Sequence, residues 1–207
     1  GRYGISDDAC RFLCDEYHVE LDRKILNMET TLYTVTVYSE NQVGLLNQIS
    51  IIFTRRRLNI ESLSVSASAI QGVHKFTITT YSDRETMEKL VKQIEKRIDV
   101  LRAFFYTDDE IVYQEIALYK VPTDKLLDDR NIEDLVRKFN ARILEVNRIY
   151  TVIEKSGHPE ETQELFEELS KYDVMQFVRS GRVAITKSTV EHVSLFLQEQ
   201  EDRKNEL

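Results

Sequence analysis

Positive charge is in short supply in this 207-residue chain. Lys and Arg number 28 against 36 Asp and Glu, for a net charge of −8. A general nucleic-acid binder or an anionic-membrane binder wants a basic face, so both classes are disfavoured. No apolar run reaches the roughly 18 residues of a membrane-spanning helix. No signal pattern precedes the first patterned segment, so the cytoplasm is the expected compartment. Cysteine is nearly absent, with two residues, which excludes a disulfide scaffold. Those two, Cys10 and Cys14, share an i, i+4, i+8 row with His18. The ends of such a row lie about 12 Å apart by helix rise, too far for one metal ion. With only six glycines, the chain has neither a P-loop nor a GxGxxG turn. Its four histidines, His18, His74, His158 and His192, are scattered and sit beside no group at metal-ligand spacing. Carboxylate pairs such as Glu160-Glu161 and Glu167-Glu168 fall on polar helix faces, where solvent accounts for them.

What remains is ordinary globular material, 42% hydrophobic and 31% charged, organised around residues 32–60. Residues 32–39 alternate apolar and polar side chains with β-branched and aromatic types, which reads as a strand. Residues 40–44 (ENQVG) break it. Leu45, Leu46, Ile49, Ile52 and Phe53 then mark one face of a helix. A strand feeding a helix through a Gly-containing turn aims backbone N–H groups and the positive dipole end at the space outside the turn. A carboxylate or phosphate is favoured there. Gly44 removes a side chain where a ligand or a second backbone could approach.

The pattern continues in order. Arg55-Arg56-Arg57 closes the helix with cations that suit its C-terminus. Residues 60–68 and 73–81 read as a hairpin turning at Gly72. Ser82 to Glu85 has capping-box spacing before a helix carrying Met87, Leu90, Val91, Ile94 and Ile98. Residues 99–107 close the unit as βαββαβ. The order repeats. A strand over 111–121 ends at Pro122. A helix follows, capped by Asn131, with Ile132, Leu135, Val136 and Phe139 on one face. Two strands come next at 141–147 and 149–155, then a helix with Pro159 in its first turn. A strand over 174–186 closes the unit, bulged or bent at Ser180-Gly181. The halves share pattern, not sequence identity. The expected fold is therefore α+β, with two ferredoxin-like βαββαβ domains at 28–108 and 109–187. Residues 1–27 are expected to be an extension upstream of Met28, peripheral or disordered. A tail helix is expected over 188–207, with a second capping box at Ser188 and Glu191. A ferredoxin-like fold can host acylphosphatase chemistry, but ENQVG lacks the phosphate-loop Arg. RNA readers on this fold need a basic aromatic sheet, which the acidic balance opposes.

The stretch LYTVTVYSENQVGLLNQISIIFTRRRLNIESLSV resembles the first ACT domain of the small regulatory subunit of acetolactate synthase (acetohydroxyacid synthase). The likeness continues through QIEKRIDVLRAF and returns in FVRSGRVAI, so it spans about residues 32–186. ENxxG followed by NIESL at this spacing is its most specific part. The resemblance implies a non-catalytic subunit that binds the catalytic large subunit, raises its activity and confers feedback inhibition by valine. Thiamine diphosphate, Mg²⁺ and FAD would reside on the large subunit and no cofactor on this chain. The resemblance also implies a homodimer through ACT domains, with the amino-acid effector between them. The matching effector-binding positions are Asn41, Gly44, Asn59 and Ile60, with Leu45 beside them. Backbone N–H groups over 42–45 would receive the effector carboxylate, Asn41 or Asn59 its ammonium, and Ile60 and Leu45 its side chain. Structural roles stay open for two of these: Asn41 as a helix N-cap and Asn59 as a left-handed helix terminus. A free-standing amino-acid-sensing ACT protein controlling another enzyme or a transcription factor is the alternative function.

Overall fold

A computed structural model describes residues 30–128, 131–189 and 198. The expectations for residues 1–27, the Asn131 cap and the tail helix with its capping box fall outside the described residues or side chains. The first half runs β1 (Thr31–Glu40), α1 (Leu45–Arg55), β2 (Ser62–Ala67), β3 (Val73–Ser82), α2 (Arg84–Ile94) and β4 (Val100–Tyr106). Its sheet has the order β2-β3-β1-β4. Every pairing in it is antiparallel. Alternation along β1 sends Tyr33, Val35 and Val37 to the helix side of the sheet. There they meet Leu45, Ile49, Ile52 and Phe53 of α1 and Met87, Leu90 and Ile94 of α2 in one core. Burying each of these side chains contributes about 1.5–3 kcal/mol, which fixes both helices on that face.

A 3-10 turn at Asp108–Glu110 leads into the second half. It comprises β5 (Ile111–Pro122), α3 (Thr123–Asp128), α4 (Asn131–Lys138), β6 (Arg142–Val146), β7 (Tyr150–Gly157), α5 (Pro159–Ser170), β8 (Gln176–Arg179) and β9 (Val183–Thr186). The order is β6-β7-β5-β8, with β9 also paired to β5. Ala117, Tyr119, Val121, Ile153, Leu165 and Leu169 form a second core. The buried Tyr119 hydroxyl donates to Thr162 O of α5 at 2.7 Å and pins that helix to the sheet. The fold is thus α+β with two ferredoxin-like units.

Several local expectations change. The closing strand is two strands, β8 and β9, on β5. Ala117 pairs with Arg179 and Gln114 with Val183, so three steps on β5 face four on the closing segment. The extra residue is a bulge at the Ser180-Gly181 break. Ser82 does not cap α2, because it is paired with Thr31 as the last residue of β3. Asp83 caps instead. Its Oδ1 accepts from Thr86 N–H at 2.8 Å and its Oδ2 from the Thr86 hydroxyl at 2.7 Å. Helix α3 was not marked by any apolar period; it is a single short stretch after Pro122.

The halves touch through the sheet face opposite α1 and α2. Thr34, Thr36, Thr77 and Thr79 on that face are buried although polar. Arg182, only 6% exposed, reaches in from the bulge between β8 and β9. Its Nη1 donates to Thr34 Oγ1 at 2.9 Å and to Asp108 Oδ1 at 2.6 Å. The guanidinium lies 3.7 Å over the Tyr113 ring. Lys75 Nζ donates to Ala184 O at 2.6 Å.

Candidate functional site

The β1–α1 turn has the geometry its residues predict. Gly44 stands immediately before the helix in the left-handed region, with φ 88°. A Cβ added there would meet nothing within 4 Å, so the glycine leaves open space in front of the turn. No side chain caps α1, which removes the N-cap role from Asn41. Asn41 is exposed, and Val43 at the turn tip is completely exposed. Gln42 N–H donates to Glu40 O at 3.0 Å and Leu45 N–H to Gln42 O at 3.4 Å. Gly44 O accepts the first helical bond, from Gln48 N–H at 3.1 Å. The N–H groups of Val43, Gly44, Leu46 and Asn47 carry no hydrogen bond to other described residues. They are the free donors of this helix start. The expected donor set over 42–45 is therefore corrected: the bonds within the turn consume two of its members.

Leu45 is corrected as well. Its side chain is 2% exposed and sits in the first core. The helix period that puts Leu45 in register with Ile49 and Ile52 turns it away from the turn's outer surface. Val43, an apolar side chain stranded in a polar turn, and Leu46, which lies off the buried face of α1, are exposed hydrophobes at this place. The sequence signal for Val43 was that mismatch.

Asn59 and Ile60 form the lead into β2. Asn59 Nδ2 donates to Glu61 Oε1 at 2.7 Å, and Asn59 O accepts from the Thr80 hydroxyl at 2.6 Å. Ile60 is half-buried against the first core. Asn59 is not the left-handed helix terminus; Arg57 is, with φ 56°. Glu61, which the sequence reading passed over, holds the Asn59 amide.

The structure does not bring these two pairs together within one chain. Thr80, which binds Asn59 O, pairs with Tyr33 near the start of β1, whereas the turn leaves from Glu40 at its end. Seven residues of strand separate the two levels, about 23 Å. Because β1 and β2 both run antiparallel to β3, they point the same way, with Asn59–Ile60 at the near end and Asn41–Gly44 at the far end. Among the described residues no group of three or more His, Cys, Asp or Glu is arranged to hold a metal ion. No described helix is long and apolar enough to cross a membrane.

Comparison with known proteins agrees over both halves. Residues 35–102 match the family described as "AHAS small subunit-like ACT domain", and residues 114–188 the family described as "Small subunit of acetolactate synthase". The acetolactate synthase small subunit of Bacillus subtilis is 32% identical over 164 residues, covering 77% of this chain and 93% of that protein. The Mycolicibacterium smegmatis counterpart is 31% identical over 158 residues, covering 76% and 92%. The crystal structure of the acetolactate synthase small subunit from Thermotoga maritima superposes with a TM-score of 0.70 at 28% identity, over 77% of this chain and 99% of that one. The chain belongs to the family of acetolactate synthase small subunits.

Proposed function

We propose that this chain is the non-catalytic regulatory partner of an acetolactate synthase large subunit. It raises that subunit's activity and makes it sensitive to valine. Thiamine diphosphate, Mg²⁺ and FAD belong to the partner. The effector site is shared between two copies of the ACT half, and the carrying observation is the separation of its two residue pairs. A single amino acid cannot span about 23 Å of strand, so Asn41–Gly44 of one copy and Asn59–Ile60 of another must meet. Strand β2 offers the means. It is an edge strand, and its six residues, SLSVSA, hold neither charge nor proline. Such an edge invites pairing with another strand. Two β2 edges paired antiparallel reverse one copy relative to the other. The start of one β2, with Asn59 and Ile60, then lies at the level of the other copy's β1–α1 turn. There the unengaged N–H groups and the helix dipole receive the effector carboxylate. The Asn41 and Asn59 side-chain carbonyls receive its ammonium, and Val43 and Ile60 its side chain. Valine acts on the enzyme by binding one state of the assembly more tightly than another.

The test is reconstitution with an acetolactate synthase large subunit, following acetolactate formation from pyruvate with and without valine. This chain should activate, and valine should reverse the activation. Gly44→Asp should abolish the valine response, because it puts a carboxylate where the effector carboxylate binds; Asn59→Ala should weaken it. Mixing the two impaired variants separates shared from single-chain sites. In a shared site the hybrid dimer regains one intact pairing, so valine response returns in part. Failure of the mixture to recover any response would rule out sharing. No activation of any large subunit would leave a free-standing amino-acid sensor.

A further inference from the structure

The halves enclose a cleft of about 510 Å³ where the start of β1 and the end of β3 face the β8–β9 bulge. The first half lines it with Leu32, Glu61 and Tyr81, the second with Glu115, Arg179 and Arg182. Asn41, Gly44, Asn59 and Ile60 do not line it. The volume is ordinary for a small-molecule site. Its four charges are two of each sign, and part of their bonding capacity is unused. Arg179 donates through Nε and Nη2 to Glu115 Oε1, both at 2.7 Å, and Nη2 also meets Pro159 O at 3.2 Å. Arg179 Nη1 bonds to no described residue. Arg182 spends Nη1 on Thr34 and Asp108, and its Nε and Nη2 bond to no described residue. Among the described residues the one buried side-chain polar atom without a partner is Thr36 Oγ1, so these Arg182 nitrogens keep contact with open space. Glu115 is 7% exposed, and its Oε1 also accepts from the Thr162 hydroxyl. Glu61 accepts from the Asn59 amide and pairs with no cation among the described residues. Tyr81, 54% exposed, lies cross-strand from Leu32, and its hydroxyl bonds to no described residue.

We propose that this cleft is a second small-molecule site, bridging the two halves, and that it takes a free α-amino acid with an apolar side chain. The charges choose that chemistry. A simple anion gains the guanidinium N–H groups but meets Glu61 and Glu115. A simple cation gains Glu61 but meets two guanidiniums. A zwitterion carries one charge for each. Its carboxylate takes the unused N–H groups of Arg179 and Arg182, which are charge-assisted donors. Its ammonium takes Glu61, whose charge only a neutral amide answers. Both pairings are stronger in a cleft than in open water. The apolar side chain lies along Leu32 and the Tyr81 ring, removing apolar surface from water on both sides. A ligand held from Glu61 on one half and Arg179 on the other ties the halves together. This inference stands whether or not the effector site is shared as proposed above.

The experiment is titration calorimetry of the full chain with L-leucine, N-acetyl-L-leucine and L-leucinamide. The proteins are Gly44→Asp, which closes the proposed effector site, and Gly44→Asp carrying Tyr81→Ala or Glu61→Gln. Tyr81 and Glu61 are exposed, so far-UV circular dichroism should not change with either. Gly44→Asp should bind one L-leucine per chain. N-acetyl-L-leucine lacks the ammonium and L-leucinamide the carboxylate, so each should bind at least tenfold more weakly. Tyr81→Ala should weaken L-leucine at least threefold. Glu61→Gln should erase the preference for L-leucine over N-acetyl-L-leucine. Loss of all L-leucine binding in a folded Gly44→Asp chain would overturn the proposal, as would equal binding of the three probes. Binding that neither Tyr81→Ala nor Glu61→Gln changes would also overturn it, and would show instead that Gly44→Asp leaves the effector site open.

Discussion

At the residue scale the left-handed positions show what local chemistry decides. Helix α1 ends in a Schellman arrangement. Leu58 N–H donates to Phe53 O at 3.1 Å and Arg57 N–H to Thr54 O at 3.0 Å, with Arg57 at φ 56° between them. The sequence pattern favours Asn59 for this role because Asn tolerates positive φ. The helix closes two residues earlier, since Leu58 packs against the first core and fixes the exit. Arginine has no special tolerance for this conformation, and an ordinary L-residue there costs about 1–2 kcal/mol. Arg57→Gly should therefore stabilise the protein by up to about 1 kcal/mol, less than the full strain because glycine loses more backbone entropy on folding. Gly44→Ala should do the reverse, losing about 1–2 kcal/mol at φ 88° despite the open space around it. Urea denaturation of both variants reads the two signs side by side. The Gly44 turn was legible because glycine, helix period and strand alternation converge on it. The core position of Leu45 was legible from the same period, and the search for an apolar wall against the effector side chain drew it into the site instead.

At the scale of elements, most strands and helices were legible because period-2 and period-3.6 patterns alternate cleanly along the chain. The failures have tertiary causes. Whether 174–186 is one strand or two depends on the register that β5 imposes. Whether Ser82 is cap or strand depends on Thr31, far away in sequence. Strand β7 also carries a charge that only pairing explains. Glu154 is buried, yet it faces the same side as the exposed Leu118. The Ser156 hydroxyl at 2.6 Å and then the Arg142 guanidinium hold its carboxyl below the usual 4.5, against the opposing effect of burial. A depressed folded-state pKa means stability that is present above the unfolded value and lost as pH falls through the folded one. The β6–β7 pair should thus weaken as pH drops below about 4.5. Glu154→Gln cannot titrate, so it should be less stable than wild type at neutral pH and show a shallower acid slope. Denaturation midpoints measured from pH 7 down to pH 3 would compare the slopes. Parallel curves for the two proteins would mean that Glu154 does not contribute to the acid transition.

At the scale of the whole molecule, the halves were legible as a repeat, but their junction was not. Arg182 reaches Thr34 across 148 positions and Asp108 across 74, distances in sequence that no periodicity reports. The glycine beside it makes the approach possible. A Cβ on Gly181 would lie 2.9 Å from Leu63 O and 3.0 Å from Leu63 C, both backbone atoms of β2. The Arg182 N–H also points to Ser62 Oγ, at 3.5 Å. The bulge between β8 and β9 therefore rests on the same strand that carries the proposed shared edge. Gly181→Ala must push the bulge off β2 or bend it, and overpacking of this kind costs about 1–3 kcal/mol. Moving the bulge also pulls the guanidinium from Thr34 and Asp108. Arg182→Lys should not substitute, since one ammonium on a flexible stem loses the stacking on Tyr113. Each half has its own core, so weakening the junction should separate their unfolding rather than unfold either one. Wild type should melt in one transition. Gly181→Ala should show two, resolved by near-UV signals from the first half's Tyr33–Phe105 pair and the second half's Tyr119–Phe177 stack. If Gly181→Ala melts in a single transition at the wild-type midpoint, the β8–β9 bulge does not join the halves. An effector bound as proposed at the first half would then have no route to the second through β2.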